Sequence, residues 1–510
     1  MRQNLKLTID PRILIALLSF IISLLVSSTT PLTNTDGVLY LRAADAFMTG
    51  GLAAAQSLFD NPYYSVLIGS LAQLTGIETL TAAHLINALL CAAIAWIITD
   101  LGILIGGGKA AGVCAGALLL LHPQFNGYRG YIIRDFGFWV CMLGFLNLQL
   151  RFYLTLRSRY LLTGLALLLI GALFRVESLL LAALPFLTLI ILKKHVSTVR
   201  QTLYLYSGLL VLSVAVALII TTDLLVDSTS LTYPAQRFID VGSRFLHTIN
   251  QHNSAFKTYL LNGYLEDYAM AAVIAAFFVI VILKALKSFT LPYFIITVIL
   301  HKSIDNLRLS RLRTAAIYTF FYYYFAILIG FTLSTTIIQG RHVLPLTLVL
   351  LPILGCYLAH WLTLQQSNLK KRQRNQWLAA LFAAYLFIDS FISFGTPKTY
   401  LSDAINWLKT QPPSCTLAAN ETKIGYFSKM NTNWARTEQL IAAPSVNLLN
   451  SINSDYIAIE YHKKDQAMNT IVEGVSNKLA AVEKFESKKR QVIIFKANNN
   501  DTCLDSQEIK

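Results

Sequence analysis

Apolar residues recur in long runs along this chain until about Phe394, and charged or polar residues bound each run. Runs of this length and composition are typical of helices that cross a membrane. Several runs are shorter than the roughly 20 residues that a bilayer requires, so their ends must be completed by semi-polar neighbours or buried among other helices. The eleven predicted spans are Ile13 to Thr30, Leu80 to Ile105, Ala110 to Leu121, Phe136 to Leu150, Leu161 to Phe174, Ser178 to Leu192, Tyr204 to Thr222, Ala269 to Leu286, Ala315 to Thr336, Val343 to Leu362 and Trp377 to Phe394.

The first polar stretch between spans, residues 31–78, is long enough to contain helices of its own. Apolar residues have helical spacing from Tyr40 to Phe47, Gly50 and Gly51 break the pattern, and Pro62 opens an apolar helix. We interpret the stretch as two amphipathic helices in the outer membrane interface.

Two further segments interrupt the succession of spans. Residues 223–268 form a second long outer loop with Arg237, Asp240 and Arg244, and we expect short surface helices there. The run Phe289 to Leu300 has lysines on both flanks, so it predicts an inner-surface or re-entrant helix.

Composition and charge agree with a membrane protein. Of the 510 residues, 55% are hydrophobic and only 14% are charged, and the mean hydropathy is +0.54. The net charge of +15 would suggest a nucleic-acid partner in a soluble protein, but here the positive-inside rule explains it and places the amino terminus in the cytoplasm. The basic residues of the predicted inner loops include Arg151, Arg157, Arg159, Lys193, Lys194, Arg200, Lys370, Lys371, Arg372 and Arg374.

The composition changes after Phe394, so we divide the chain into a transmembrane domain, residues 1–394, and a small α/β domain, residues 395–510. Short β-rich runs at Cys415 to Ala419, Tyr456 to Glu460 and Val492 to Phe495 predict strands, and Asn469 to Val482 predicts a helix. The parity of spans places this domain outside the cytoplasm. A disulfide between Cys415 and Cys503 is predicted there, with two unrelated thiols as the alternative; the other four cysteines lie in apolar spans.

Three acids near the outer ends of spans are candidate site residues, and each has a structural alternative. Asp36 is either a catalytic base or a helix N-cap, and Asp135 is either a second site acid or an ion-paired structural acid. For Asp60 we favour a cap before Pro62 over a site role.

Arginine predominates among the outer basic residues, and its planar fork suits phosphate oxygens. Arg341 is a candidate phosphate ligand, with an interfacial anchor as the alternative, whereas for Arg175 a bridge to Glu177 or Asp135 is favoured. The further phosphate candidates are Arg134 and Arg42.

Five short segments, in this order, resemble the GT-C glycosyltransferases, above all the protein mannosyltransferases and the lipid A aminoarabinose transferases. The segments are Thr35-Asp36-Gly37, Asp60-Asn61-Pro62-Tyr63-Tyr64, Arg134-Asp135, Phe174-Arg175-Val176-Glu177 and Arg341-His342-Val343-Leu344-Pro345. The resemblance covers most of the predicted membrane part and implies an all-α polytopic fold of about eleven helices with the small α/β domain outside. Some relatives have Glu-Lys-Pro-Pro where this chain has Asp60-Asn61-Pro62, so the lysine that could touch phosphate is absent.

The resemblance implies transfer of a sugar from a polyprenyl-phosphate carrier to a lipid, glycan or protein acceptor at the outer face of a bacterial inner membrane, with the small domain in the periplasm. Asp36 and Asp135 are then the catalytic candidates. The same two acids would contribute to a divalent metal site, but the sequence gives no further indication of such a site. Asp60, Tyr63, Tyr64, Glu177 and His342 are the candidates for the acceptor side and its loops. The alternatives are a membrane transporter and a non-catalytic partner in envelope glycan assembly.

Overall fold

The computed structural model describes residues 9–30, 32–106, 108–187, 200–211, 233–261, 263–301, 311–363, 369–391, 399–475 and 479–497. Its internal contacts divide the chain into two compact units. The first unit comprises Met1–Ser27 and Ala43–Ile392, and the second comprises Ser28–Arg42 and Ser393–Lys510. The boundary predicted at Gly395 lies outside the described residues.

The first unit is helical. Its helices are α1 (Pro11–Thr29), α2 (Thr35–Leu58, which begins in the second unit), α3 (Tyr63–Thr75), α4 (Thr79–Gly106), α5 (Lys109–Leu120), α6 (Pro123–Tyr128), α7 (Asp135–Thr155), α8 (Ser158–Phe174), α9 (200–211), α10 (Tyr233–Tyr259), α11 (Ala269–Phe289), α12 (Leu291–His301), α13 (Arg311–Thr335), α14 (Gly340–Thr363) and α15 (Leu369–Phe391). A 3₁₀ helix, Val176–Leu187, follows α8 and contains Pro185.

Within the described residues, five helices are long and apolar enough to cross a membrane: Pro11–Thr29, Thr79–Gly106, Glu266–Phe289, Leu312–Thr335 and Gly340–Leu362. Three shorter apolar helices, Lys109–Leu120, Ser158–Phe174 and Val176–Leu187, accompany them. The chain is therefore an integral membrane protein with a mostly helical fold, as predicted. The predicted span Ser178 to Leu192 is 3₁₀ over its described part, and part of the span Tyr204 to Thr222 lies outside the described residues.

Small residues let α4, α5 and α14 approach closely. A Cβ added at Gly355 would lie 2.5 Å from the backbone nitrogen of Ala115, and one added at Gly112 would lie 2.7 Å from the carbonyl oxygen of Thr99. Close backbone approach at small residues is how helices associate where lipid supplies no hydrophobic driving force between them. The three helices form a tight centre for the first unit.

Of the two segments predicted to interrupt the spans, one differs from the sequence-based expectation. The described part of the stretch 223–268 contains the long helix α10 and a short 3₁₀ helix, Glu266–Tyr268, where only short surface helices were expected. The helix α10 packs on α11 and α13, so tertiary contacts stabilise its length. The predicted inner-surface or re-entrant segment is α12, where Tyr293 is fully buried and donates a hydrogen bond to the carbonyl of Leu118.

The second unit contains a five-stranded sheet in the order β2-β1-β3-β5-β4. β1 is parallel to β2 and β3, whereas β5 is antiparallel to β3 and β4. The elements after α15 are α16 (Thr399–Lys409), β1 (Thr416–Ala419), α17 (Thr422–Phe427), β2 (Asn431–Thr432), α18 (Trp434–Ala442), α19 (Val446–Ser451), β3 (Tyr456–His462), α20 (Gln466–Val475), β4 (Leu479–Glu486) and β5 (Arg490–Ala497).

The three predicted strands are present as β1, β3 and β5, but the predicted helix Asn469 to Val482 is wrong in its second half. The helix α20 ends at Val475, and residues from Leu479 onward pair with β5 as β4. Pairing with β5 overrides the helix preference of a sequence such as Leu-Ala-Ala-Val. Cys415 is in a disulfide, and Cys91, Cys114, Cys141 and Cys356 are free. Cys503 lies outside the described residues, so its pairing with Cys415 stays a prediction.

Candidate functional site

Five charged side chains meet where α7 begins, α8 ends and α14 begins. The Arg175 Nη1 atom lies 2.7 Å from the Asp135 Oδ1 atom, and its Nη2 atom lies 2.9 Å from Glu177 Oε1. The Nε atom of Arg341 lies 3.9 Å from Asp135 Oδ2. Arg134 precedes α7 and acts electrostatically on both carboxylates. We call these residues, Arg134, Asp135, Arg175, Glu177 and Arg341, the Asp135 cluster.

The local sequence explains why these residues converge. Arg175 is the C-cap of α8 in an extended conformation, which ends the helix and turns the chain into the 3₁₀ helix that carries Glu177. Asp135 opens α7, where a carboxylate is favoured by the helix dipole, and Arg341 lies in the first turn of α14. Three helix termini therefore deliver charged groups to one place.

The Asp135 cluster is desolvated and carries an excess of positive charge. The side chains of Asp135, Arg175 and Arg341 are 3%, 10% and 16% exposed. Three arginines face two carboxylates, so the cluster has a net charge of plus one. Charges removed from water require partners of opposite charge, and a positive excess in such a place favours an anion. The Nη1 atom of Arg134 is buried and has no hydrogen-bond partner among the described residues.

Aromatic and polar side chains surround the cluster. The guanidinium carbon of Arg175 lies 5.3 Å from the ring centroid of Phe331 and 5.9 Å from that of Phe138. The ring of His342 packs edge-on against Phe331 with centroids 5.0 Å apart, and its carbonyl accepts a hydrogen bond from Tyr324. His342 was predicted for the acceptor side; it holds the start of α14 in place here.

Sequence reasoning missed Tyr128, which lies at the end of α6 close enough to Arg341 and Asp135 to interact with both electrostatically. A Cβ added at Gly340 would meet the Tyr128 hydroxyl at 2.8 Å, so the absence of a side chain at Gly340 allows this approach. No spacing or motif could have identified it, because α6 is a six-residue helix inside a predicted loop.

The structure places two other predicted site acids at the starts of α2 and α3. Asp36 is in the first turn of α2, within the helix and not at its N-cap, and it belongs to the second unit together with Arg42. Asp60 precedes α3, whose N-cap is Pro62 without a side-chain cap, and the capping role favoured for Asp60 stays a prediction. The Gly51 backbone leaves the helical region at φ 70°, which confirms the predicted break in α2.

The two tyrosines after Pro62 lie at the start of α3. Tyr63 opens α3, whereas Tyr64 is only 1% exposed and donates a hydrogen bond of 2.6 Å to the side chain of Asn87. Asn87 in turn donates to the carbonyl of Tyr131. Tyr64 therefore links α3 to α4, and its role on the acceptor side stays a prediction.

Arg42, predicted to bind phosphate, is instead engaged within the second unit. Its guanidinium carbon lies 3.6 Å from the ring centroid of Trp434, and its Nη1 atom lies 3.4 Å from the Glu438 carboxylate. Arg129 is fully buried and donates to the carbonyl and hydroxyl oxygens of Ser19 and the hydroxyl of Ser23. Neither arginine belongs to the Asp135 cluster.

A second group of charged and polar side chains, the Asp100 cluster, consists of Asp10, Arg12, Asp100, Asn147 and Arg151. Asp100 accepts hydrogen bonds from Arg12 at 2.9 Å, from Asn147 at 2.8 Å and from Arg151. Arg12 also pairs with Asp10 at 2.6 Å. This group lacked any signal in the sequence, because its members are distributed over 140 positions.

The described residues do not supply a metal site. No group of three His, Cys, Asp or Glu side chains in this part of the chain lies close enough to hold a metal ion. Asp135, one of the two acids considered for a metal, is committed to arginines. We therefore assign no step to a metal.

Comparison with solved structures gives the fold. ArnT from Cupriavidus metallidurans in the apo state matches with a TM-score of 0.55 at 12% identity, over 94% of this chain and 97% of ArnT. ArnT bound to undecaprenyl phosphate matches over the same shares at a TM-score of 0.52 and 12% identity. The oligosaccharyltransferase of Archaeoglobus fulgidus, in complex with Zn and sulfate, matches at a TM-score of 0.52 and 12% identity, over 94% of this chain and 72% of that protein.

These proteins are glycosyltransferases of the GT-C superfamily, and this chain has the GT-C fold, as the sequence predicted. No protein-family model matches the sequence, and no curated protein matches it.

Proposed function

We propose that this protein is a membrane glycosyltransferase that moves a sugar from a polyprenyl-phosphate-linked donor to a lipid, glycan or protein acceptor at the outer face of a bacterial inner membrane. The observation that carries the proposal is the Asp135 cluster, a desolvated group of three arginines and two carboxylates in a GT-C fold. The undecaprenyl phosphate in the ArnT structure supports a phosphate-linked lipid as the donor. The second unit then lies in the periplasm.

The cluster suits the carrier phosphate for reasons of charge and geometry. A phosphate would offset the positive excess, and the arginine fork presents paired N–H donors to its oxygens. Arg341 and Arg134 are the proposed ligands. Arg175 is committed to Asp135 and Glu177, so its role is to hold the cluster together, with a weaker electrostatic contribution to phosphate binding.

The proposed reaction is a displacement at the anomeric carbon of the donor sugar. An acceptor hydroxyl forms the new bond to that carbon, the bond from the carbon to the carrier phosphate oxygen breaks, and the polyprenyl phosphate leaves with the electron pair. The hydroxyl proton passes to Asp36 as general base. The arginines stabilise the charge that develops on the departing phosphate.

Asp135 is a poor candidate for the base itself. A general base must accept a proton, and a carboxylate that faces two arginines resists protonation. We therefore replace its predicted catalytic role with one of orienting Arg175 and Arg341. Asp36, the other catalytic candidate that the resemblance implies, lies at the second position of α2.

The test is the variant Asp36→Asn. If Asp36 is the base, transfer falls by about 10²–10⁴-fold while the protein still accumulates and binds undecaprenyl phosphate. The assay measures transfer from polyprenyl-phosphate mannose and polyprenyl-phosphate aminoarabinose, after mass spectrometry of glycolipids and surface glycans with and without the gene has indicated the product.

The matched control is Asp45→Asn in the same helix. Asp45 accepts a hydrogen bond of 2.9 Å from the Thr79 hydroxyl, and an asparagine can accept the same bond. We expect near-normal transfer from this control. Near-normal transfer by Asp36→Asn as well would defeat the assignment of the base.

A further inference from the structure

The start of α2 is held by a contact within the second unit that the proposed chemistry does not use. Arg42 stacks on Trp434 with 3.6 Å between the guanidinium carbon and the ring centroid. Both Nη atoms approach one carboxylate oxygen of Glu438, at 3.4 and 3.5 Å. We call these three residues the Arg42 clamp.

The clamp engages both the face and the edge of the guanidinium group. The indole covers one face, the Glu438 carboxylate takes the two terminal nitrogens, and the Arg42 side chain is 10% exposed. Burial lowers the pKa of Arg42, and the charge of Glu438 opposes this effect. An arginine engaged in this way is poorly available to a substrate phosphate.

The partners of Arg42 are themselves firmly placed. Trp434 and Glu438 are four residues apart in α18 and therefore lie on the same face of that helix. The side chain of Asn433 caps α18, and its backbone N–H donates to the carbonyl of Leu417 in β1. Thr437 is fully buried and accepts a hydrogen bond from the backbone N–H of Ala419. The sheet thus fixes α18, and α18 presents Trp434 and Glu438.

The other side of the clamp leads to the proposed base. Asp36 and Arg42 belong to one continuous helical stretch, six residues or ~9 Å apart along the axis. This stretch remains helical until Gly51, so it has no internal hinge before that residue. An orientation imposed at Arg42 is therefore transmitted to Asp36.

We propose that Trp434 and Glu438 are positioning residues, which act through Arg42 to orient the helix that carries Asp36. This inference rests on the proposed function for its catalytic meaning. A misplacement of about 1 Å can cost on the order of 10²-fold in rate without a loss of substrate affinity. The second unit then positions the proposed base through α18.

The first experiment measures amide hydrogen exchange in Trp434→Ala. We expect exchange across residues 35–42 to accelerate by about 5- to 30-fold, the size expected for a lost desolvated cation–π contact, while β3 stays protected. The control is Tyr426→Ala, which removes a looser cation–π pair with Lys429 at 5.7 Å in the same unit and should leave 35–42 unchanged.

The second experiment measures transfer from polyprenyl-phosphate mannose and polyprenyl-phosphate aminoarabinose by the same variants. We expect kcat of Trp434→Ala to fall by roughly 10- to 100-fold with KM for the donor changed less than about threefold. Trp434→Phe retains an aromatic face and should keep most of the wild-type kcat. Arg42→Lys loses the planar fork and should keep a smaller part of the wild-type kcat.

The two measurements separate the clamp from the proposed function. If residues 35–42 loosen but the wild-type protein transfers neither sugar, the clamp is supported and those donors are not substrates. If the wild-type protein transfers sugar but Trp434→Ala changes neither exchange nor kcat, the inference is overturned. Should Trp434→Ala unfold the second unit, Arg42→Met removes the cation with Trp434 in place, and normal exchange across 35–42 in that variant would overturn the inference.

Discussion

The Asp100 cluster and the Asp135 cluster contain the same residue types but differ in net charge and in exposure. In each, a buried aspartate faces two arginines. α7 contributes to both, with Asp135 at its start and Arg151 sixteen residues later, so the two groups lie about 24 Å apart along that helix. The first unit therefore has a carboxylate held by arginines towards each end of α7.

The difference lies in charge balance and exposure. In the Asp100 cluster, Asp10 and Asp100 balance Arg12 and Arg151, and both arginine side chains are 33% exposed. The Asp135 cluster has one more cation than anions, and Arg175 is only 10% exposed. A balanced group with partial access to water needs no further ion, whereas a desolvated group with a positive excess favours one. The net charge and the exposure of a cluster therefore indicate whether it favours a further ion, whereas the numbers of arginines and acids alone do not.

The largest effect that would sharpen this comparison is expected for Arg175→Met. Removing Arg175 leaves Asp135 and Glu177 buried without their nearest cation, which should lower the free energy of unfolding by about 3–5 kcal/mol. Thermal unfolding of the purified protein in detergent would measure the loss.

The matching variant combines Arg175→Met with Asp135→Asn and Glu177→Gln. It removes the charges together, so most of the lost stability should return. A single Arg175→Met variant as stable as the wild type would show that the Asp135 cluster is not desolvated as the geometry implies.

The sequence predicted the membrane-spanning character, the break at Gly51, the three principal strands and the pairing of Arg175 with Asp135 or Glu177. These features depend on hydrophobic runs, on glycine conformation, or on charges that would be costly alone at the ends of spans. The local sequence was therefore sufficient to predict these features.

Other features depend on contacts between residues that are far apart in the sequence, and these contacts could not be predicted from the sequence alone. Arg42 was indistinguishable from a phosphate ligand until Trp434, nearly 400 positions later, was placed against it. The strand β4 looked helical because its pairing with β5 decides its state. Tyr128 was missed because its importance comes only from its proximity to Arg341.

The next effect concerns donor binding and separates the two clusters directly. Arg341→Ala should weaken binding of undecaprenyl phosphate by about 10- to 100-fold, since a charge-assisted hydrogen bond is lost, and Arg341→Lys should restore only part of it. Arg151→Ala removes an arginine from Asp100 and should leave this affinity unchanged.

Binding would be measured in nanodiscs by competition, with undecaprenol as the ligand that lacks the phosphate. Equal affinities of wild type and Arg341→Ala would return Arg341 to the role of interfacial anchor. A loss of affinity in Arg151→Ala as large as in Arg341→Ala would erase the distinction between the clusters.

A smaller effect is expected when the Asp100 cluster is broken. Asp100→Asn leaves Arg12 and Arg151 without their shared carboxylate, but both arginines can turn to water. The free energy of unfolding should therefore fall by only about 1–3 kcal/mol, with binding of undecaprenyl phosphate unaltered. Chemical denaturation would measure the first quantity, and a loss above that of Arg175→Met would reverse the order of the two clusters.

The smallest effect is a pH dependence at Asp10, the member of the Asp100 cluster that precedes α1. Hydrogen bonds from Arg12 lower the pKa of Asp10 to about 2. Because the folded value is depressed, the stabilisation is present above the pKa of the unfolded chain, near ~3.9, and is lost as the pH falls through about 2. The melting temperature of the wild type should therefore decline by about 1 °C more between these pH values than that of Asp10→Asn. Differential scanning fluorimetry would record both curves, with Asp403→Asn, an exposed acid of the second unit, as control. Parallel curves for wild type and Asp10→Asn would mean that Asp10 adds nothing to the cluster and that Asp100 alone holds Arg12.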